Sequence, residues 1–268
     1  MMNKLIITFA VSLLLAFGVF GQKQMKPWNE WNKKDAEKVL ADSPWSQTQT
    51  ETDTSEMFFT PSTMGDTHAR ESQGASNQAV TLKYYIRLFS ARPVRQAYVR
   101  LLELSQSAPD EAAVEKRRAW ANLPASDSII VTVACDSSDR RYLGRAMQAF
   151  SSAVTSVLKS GAYLERQDGT KVFLEEYIPP SKDVFGARFI FPRLINGEPL
   201  ISNSGGSLRF HAEYESRTAT GQDNTPSGET TRRGTTQPPS AQAPSPFKFK
   251  LDMKFKVAEL LYNGEIEY

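Results

Sequence analysis

Cysteine and histidine are the scarcest reactive side chains in this sequence: one Cys and two His among 268 residues. A single thiol excludes any disulfide within the chain, so the core must hold the fold without cross-links. His68 and His211 are far apart and have no supporting Cys, which argues against a zinc site. Neither sits in a recognisable partner motif that could activate Cys135, which closes the apolar run Ile129 to Ala134 and reads as a small buried thiol. Charge of one sign is also lacking, with 32 Lys and Arg against 30 Asp and Glu. Near-neutrality argues against nucleic acid as a partner, because such binding draws its affinity from clustered cations, and Arg140-Arg141 and Arg232-Arg233 read as solvated surface. There is no phosphate-cradling loop, dinucleotide fingerprint or EF-hand pattern, so no cofactor is implied. Gly205-Gly206-Ser207 lacks the nucleophile elbow and reads as a turn.

Long apolar runs are absent with one exception. Lys4 and the amino terminus precede the apolar stretch Leu5 to Phe20, and Val19-Phe20-Gly21 offers compact residues for a cut before Gln22. Residues 1–21 therefore read as a secretory signal. The competing reading is a retained anchor, but the run is shorter than the ~20 residues a spanning helix needs. No Cys follows the cut to carry a lipid, and no second long apolar run follows downstream. The expected product is exported, periplasmic or extracellular, without a stable membrane span after cleavage.

The remaining chain is long enough for one large domain or two small ones. Asn32 is a good N-cap, Asp35 suits the electropositive end of a helix, and Ala36, Val39 and Leu40 share a face, with Pro44 ending the element. Residues 46–79 are rich in Thr, Ser, Gln and acidic side chains around the apolar knot Met57-Phe58-Phe59, and read as a loosely ordered connection. A globular domain is expected over 80–268. Alternation through Val80, Leu82, Tyr84, Ile86 and Leu88 predicts a strand. Pro93 fits the first turn of a helix with Val94, Tyr98, Leu101 and Leu102 on one stripe. A second, more charged helix is predicted from Pro109 to Asn122, and Ile129 to Ala134 suits a central strand. A long helix from Ser138 to Ser160 would bury Leu143, Met147, Phe150, Val154, Val157 and Leu158, with Gly161 as its stop.

Beyond Gly161 the period changes. Asp168-Gly169 between strand-like arms is the strongest hairpin signal in the chain. Strands are also expected at 187–191, 198–202 and 207–214. Residues 216–246 are nearly devoid of large apolar side chains and read as a disordered loop. Alternating segments flank it, Leu208 to Tyr214 before and Phe247 to Val257 after, so the simplest inference is one long hairpin whose turn this loop replaces. A long loop is thermodynamically tolerable, since closure costs only about 0.6 kcal/mol per doubling of length. The fold class expected is α+β, with a mostly antiparallel or mixed sheet covered by helices.

Candidate site residues are few. His211 is expected on the outer face of its strand, without a partnered nucleophile. Asp136 and Asp139 lie at a strand-to-helix junction, where ligands bind in many α/β proteins, although N-capping, with Asp139 complementing the helix dipole, is the preferred reading. The adjacent acids Glu175-Glu176 point to opposite strand faces and cannot act as a facing pair. Trp28, Trp31 and Trp45 form an aromatic group that could bind a glycan or partner groove, or staple the first helix onto the domain.

The run Trp28-Asn-Glu-Trp31, continuing to Ser43-Pro44-Trp45, resembles the N-terminal signature of a group of uncharacterised exported proteins from Acidobacteria-like bacteria, and Arg92-Pro-Val-Arg95 is similar too. The resemblance implies bacterial origin and export, and assigns no catalytic residue. The expectation is an exported, non-catalytic binding module of the cell envelope, with an envelope protein or glycan as partner. Two alternatives stand beside it: an envelope-polymer hydrolase assembled only in three dimensions, and a structural subunit that pairs through its C-terminal strand.

Overall fold

The computed structural model describes residues 26–53, 79–107, 110–181, 185–201, 205–215 and 248–268. The proposed signal, the Met57-Phe58-Phe59 knot, His68 and the 216–246 loop lie outside the described residues. The helices are α1 (Lys33–Ala41), α2 (Arg92–Ser105), α3 (Glu111–Ala121), α4 (Arg140–Ser152) and the single turn α5 (Thr155–Leu158). The main strands are β1 (Ser46–Asp53), β2 (Val80–Leu88), β3 (Ser128–Ser137), β4 (Ala162–Arg166), β5 (Lys171–Phe173), β6 (Glu176–Ile178) and β7 (Ala187–Pro192). A short ribbon, β8 (Leu194–Ile195) and β9 (Glu198–Pro199), precedes the long pair β10 (Ser207–Glu215) and β11 (Lys248–Lys256). A second ribbon, β12 (Leu261–Tyr262) and β13 (Glu265–Ile266), follows. The chain is an α+β protein, and every strand pairing described is antiparallel.

Two sheets enclose the core. One has the order β1-β2-β3-β7-β6 and the other β11-β10-β4-β5. Their inner faces meet through aromatic edges, with Phe210 of β10 lying 5.3 Å from Phe189 and 6.2 Å from Phe191 of β7. Helix α4 adds Phe150, stacked on Phe249 at 4.4 Å. Alternation in β2 is complete, with Val80, Leu82, Tyr84, Ile86 and Leu88 all buried, because successive side chains point to opposite faces.

The sheets are joined at both edges. Along 171–178 the chain leaves one sheet and enters the other: Leu174 N donates to Ala162 O at 3.0 Å, and Glu175 N donates to Ile190 O at 2.9 Å. At the opposite edge, β1 and β11 are linked by side chains. Gln49 Nε2 donates to Lys250 O at 2.7 Å, Gln49 Oε1 accepts from Asp252 N at 2.9 Å, and Gln47 Nε2 donates to Lys254 O at 3.3 Å. The glutamine amides thus stand in for a neighbouring strand and cover an edge that would otherwise present free backbone groups.

Residues 46–53 correct the sequence reading: they form an ordered strand rather than the start of a loose connection, with Gln49 opposite Tyr84 and Glu51 opposite Leu82. Their inward side chains are polar because they bridge the seam, so burial and hydrophobicity part company there. A second correction concerns the helix expected over 138–160. It is capped by Asp139, ends at Ser152 and resumes only as α5. The Phe150 carbonyl accepts from Tyr177 Oη at 2.6 Å, and the Thr155 hydroxyl accepts from Tyr177 N at 3.0 Å, so tertiary partners replace continued helix. Val154 and Val157, expected inside, are exposed. The strand expected over 198–202 is only the two residues of β9, paired with β8.

Two other readings hold closely. The Asp168-Gly169 turn joins β4 to β5, with Gly169 at φ +86°, a left-handed conformation that favours glycine. The long hairpin is in register from Ser207 opposite Lys256 to Glu215 opposite Lys248, immediately flanking the intervening segment.

Candidate functional site

Helices α1 to α3 pack against one another in chain order, and α1 lies against β1 of the five-stranded sheet. Asn32 and Asp35 form a reciprocal capping box that starts α1, and Ala36 and Val39 bury against Ala97 of α2. Helix α2 has no side-chain cap from its own N-cap residue. The Glu267 carboxylate serves instead, accepting from Arg92 N at 3.0 Å and pairing with the Arg92 side chain at the electropositive helix end. At the far end of α3, the buried Arg95 guanidinium donates to Leu123 O at 2.6 Å and Trp120 O at 3.3 Å. These contacts fix α2 between its neighbours.

A cavity of about 410 Å³ opens between α1, α2, the end of β2 and Phe185. Helix α1 contributes Lys33, Glu37 and Leu40; α2 contributes Val94, Tyr98, Leu101, Leu102, Leu104 and Ser105; Arg87 and Phe89 come from the sheet side. Its size falls within the ~300–1,000 Å³ of small-molecule sites, and its wall is mostly apolar, as such sites are. The back wall is aromatic: Phe89 and Tyr98 lie 4.5 and 4.2 Å from Phe185, and Trp120 lies 5.9 Å from Phe89. The stripe Val94, Tyr98, Leu101 and Leu102 shares one face of α2 and lines the cavity, with Val94 buried and the other three partly open.

Arg87 supplies the site's least ordinary electrostatics. Its Nε donates to Leu40 O at 2.6 Å, and its guanidinium carbon lies 5.3 Å from the Tyr85 ring centroid. Burial lowers its pKa below the usual guanidinium value, and among the described residues Tyr85 rather than a carboxylate opposes that effect. Glu37 lines the same cavity but pairs with Lys33 at 3.8 Å.

The tryptophan group is split by the fold. Trp31 and Trp45 are each only 2% exposed. Trp31 Nε1 donates to Lys26 O at 2.8 Å, and Trp45 Nε1 donates to Glu267 O at 2.9 Å while its ring meets Tyr262 edge-on at 6.0 Å. Both act as staples, because an indole buried with its N–H satisfied offers no face to a ligand. Trp28 is partly buried against the same small cluster as Trp31. The three do not make a common binding surface.

The polar candidates are also dispersed. Asp136 is exposed on β3 opposite Lys83, and Asp139 caps α4 by accepting from Arg141 N at 2.8 Å and pairing with the Arg141 side chain at 2.6 Å. His211 belongs to the other sheet, on the face away from the core. Its ring stacks on Tyr163 at 4.8 Å, and its Nδ1 lies 3.5 Å from an Asp252 oxygen already engaged by Arg209. No reaction geometry unites the three.

One cluster escaped the sequence reading. Tyr84 Oη and Gln49 Nε2 donate to the two Glu51 carboxylate oxygens at 3.2 and 3.3 Å, with Cys135 opposite Tyr84 on β3. Burial raises the pKa of Glu51 and of Tyr84, and pushes the Cys135 thiol up to about 12. A protonated thiol is a poor nucleophile, so this arrangement is suited to packing rather than covalent chemistry. Among the described residues no group of three His, Cys, Asp or Glu side chains could hold a metal ion, and no helix is long and apolar enough to cross a membrane. Comparisons with protein-family models, curated proteins and solved structures return no match for this chain.

Proposed function

We propose that this chain is an exported bacterial binding protein that acts without catalysis and takes a small apolar ligand in the cavity between α1 and α2. The observation that carries the reading is the aromatic and aliphatic cavity of about 410 Å³, held open by helices that are anchored elsewhere. The dispersal of Asp136, Asp139 and His211 weighs against the hydrolase alternative. The Gln47 and Gln49 contacts to β11 weigh against pairing through the C-terminal strand, because that edge already has partners. An apolar small molecule, rather than an envelope protein or glycan, is the partner that this cavity suits.

Calorimetric titration of the purified chain with 1-dodecanol tests it. Saturable binding is expected, and Leu102→Trp, which fills the cavity, is expected to abolish it while the circular dichroism spectrum is retained. Absence of binding to the wild-type chain would sink the proposal. Export rests on residues 1–21: N-terminal sequencing of the secreted product should begin at Gln22, and retention of the full-length chain in the cytoplasm would refute that part.

A further inference from the structure

We infer that the ligand is a single-chain amphiphile with a carboxylate head, a fatty acid, whose chain fills the apolar cavity while Arg87 grips the head at its wall. The inference rests on the ligand-binding reading above and adds the chemistry of the head group. Arg87 spends only Nε on the protein, in the bond to Leu40 O, and both Nη groups have no hydrogen-bond acceptor among the described residues. No carboxylate among the described residues pairs with it, whereas Lys33 and Glu37 on the rim neutralise each other. A half-buried cation without a counter-ion is costly, and an incoming anion would offset that cost. The two free Nη groups form the fork that matches a planar carboxylate bidentately. Tyr85, lying under the guanidinium, holds its plane. The volume suits one acyl chain rather than two, which disfavours a diacyl membrane lipid.

The lowered pKa of Arg87 agrees with this geometry: burial disfavours the charge, and among the described residues Tyr85 alone opposes that effect. Guanidinium groups stay charged at neutral pH, so the grip is available there.

The test titrates the full chain with dodecanoate, 1-dodecanol and dodecyl phosphate, each below its micelle concentration. Dodecanoate is expected to bind roughly ten- to a hundredfold more tightly than 1-dodecanol, the range of a charge-assisted pair in a partly dry site. Arg87→Met should bring the two to the same affinity, and Arg87→Lys should restore part of the preference. If Arg87→Met does not fold, the wild-type ratio decides alone. Equal affinities for dodecanoate and dodecanol would overturn the head-group inference and leave the cavity reading intact. Failure of both to bind would overturn the two together. Tighter binding of dodecyl phosphate would overturn the carboxylate assignment. A concentration-dependent dimer that Leu102→Trp dissociates would give the groove to a second copy of the chain, and overturn it as well.

Discussion

Replacing Gln49 by Ala is expected to open the seam between the two sheets. The wild-type amide donates to Lys250 O at 2.7 Å and accepts from Asp252 N at 2.9 Å, so one side chain satisfies two backbone groups of β11. Lys250, Asp252 and Lys254 alternate with residues bonded to β10, and their backbone groups face β1. Each hydrogen bond contributes about 0.5–1.5 kcal/mol net, and water reaches part of this site, so Gln49→Ala should cost roughly 1–2 kcal/mol. Urea unfolding should show a lower midpoint with an unchanged slope. The sharper readout is hydrogen exchange at the Asp252 amide, whose acceptor is the Gln49 side chain: protection should fall about tenfold there and little at Leu251. The uncovered edge should also raise self-association. Gln49→Glu is a more severe version at neutral pH, because a carboxylate cannot donate to Lys250 O and would lie beside Glu51. Stability within about 0.5 kcal/mol of wild type together with unchanged Asp252 protection would refute the argument, since that is the range of ordinary surface substitutions.

Three further outcomes are expected. Cys135 should resist thiol reagents at pH 8 until the chain unfolds. Its folded pKa of about 12 stands above the ordinary value of 9.0, so its contribution to stability is full below pH 9 and lost as pH rises toward 12. Cys135→Ala should flatten that alkaline decline in melting temperature, and an equally steep decline would count against the assignment. Trp45→Ala should destabilise by about 3–5 kcal/mol, whereas Trp28→Ala should cost far less, and equal losses in chemical denaturation would contradict the split of the tryptophan group. Gly186→Ala should cost well over 1 kcal/mol, because Gly186 has φ +78° and an added Cβ would meet Val133 O at 2.1 Å; near-neutral behaviour in thermal melts would show that the backbone can move away.

Much of the fold is legible in the pattern of side chains. Val80 to Leu88, Ala187 to Phe191 and the two arms around residues 216–246 alternate as half-buried strands do, and each appears as a strand close to its expected bounds. Ser46–Asp53 was hidden because its inward positions are Gln47, Gln49 and Glu51. The one available signal is Gln-Thr-Gln-Thr-Glu-Thr over 47–52, which keeps period two without hydrophobicity and places the strand-favouring Thr at alternate positions. The break after Ser152 had no local signal at all, since it depends on Tyr177, a residue more than twenty positions away.

The candidate site divides in the same way. The apolar stripe Val94, Tyr98, Leu101 and Leu102 stands plainly in the sequence, yet whether such a stripe meets a core or a void is decided by what comes opposite it. Arg87 reads locally as the polar member of an alternating strand. Only tertiary packing half-buries it, gives it Leu40 O and Tyr85, and leaves it without a counter-ion among the described residues. By itself the sequence determined the α+β class, the near-neutral charge, the inability to form a disulfide within the chain and the alternating apolar strands of both sheets, though not β1, because these follow from composition and from periodicities of two and 3.6 residues. The tertiary structure decided the glutamine seam, the burial of Trp31 and Trp45, the dispersal of Asp136, Asp139 and His211, and the cavity beside Arg87. Each of these depends on contacts between residues distant in the chain, which no local period encodes.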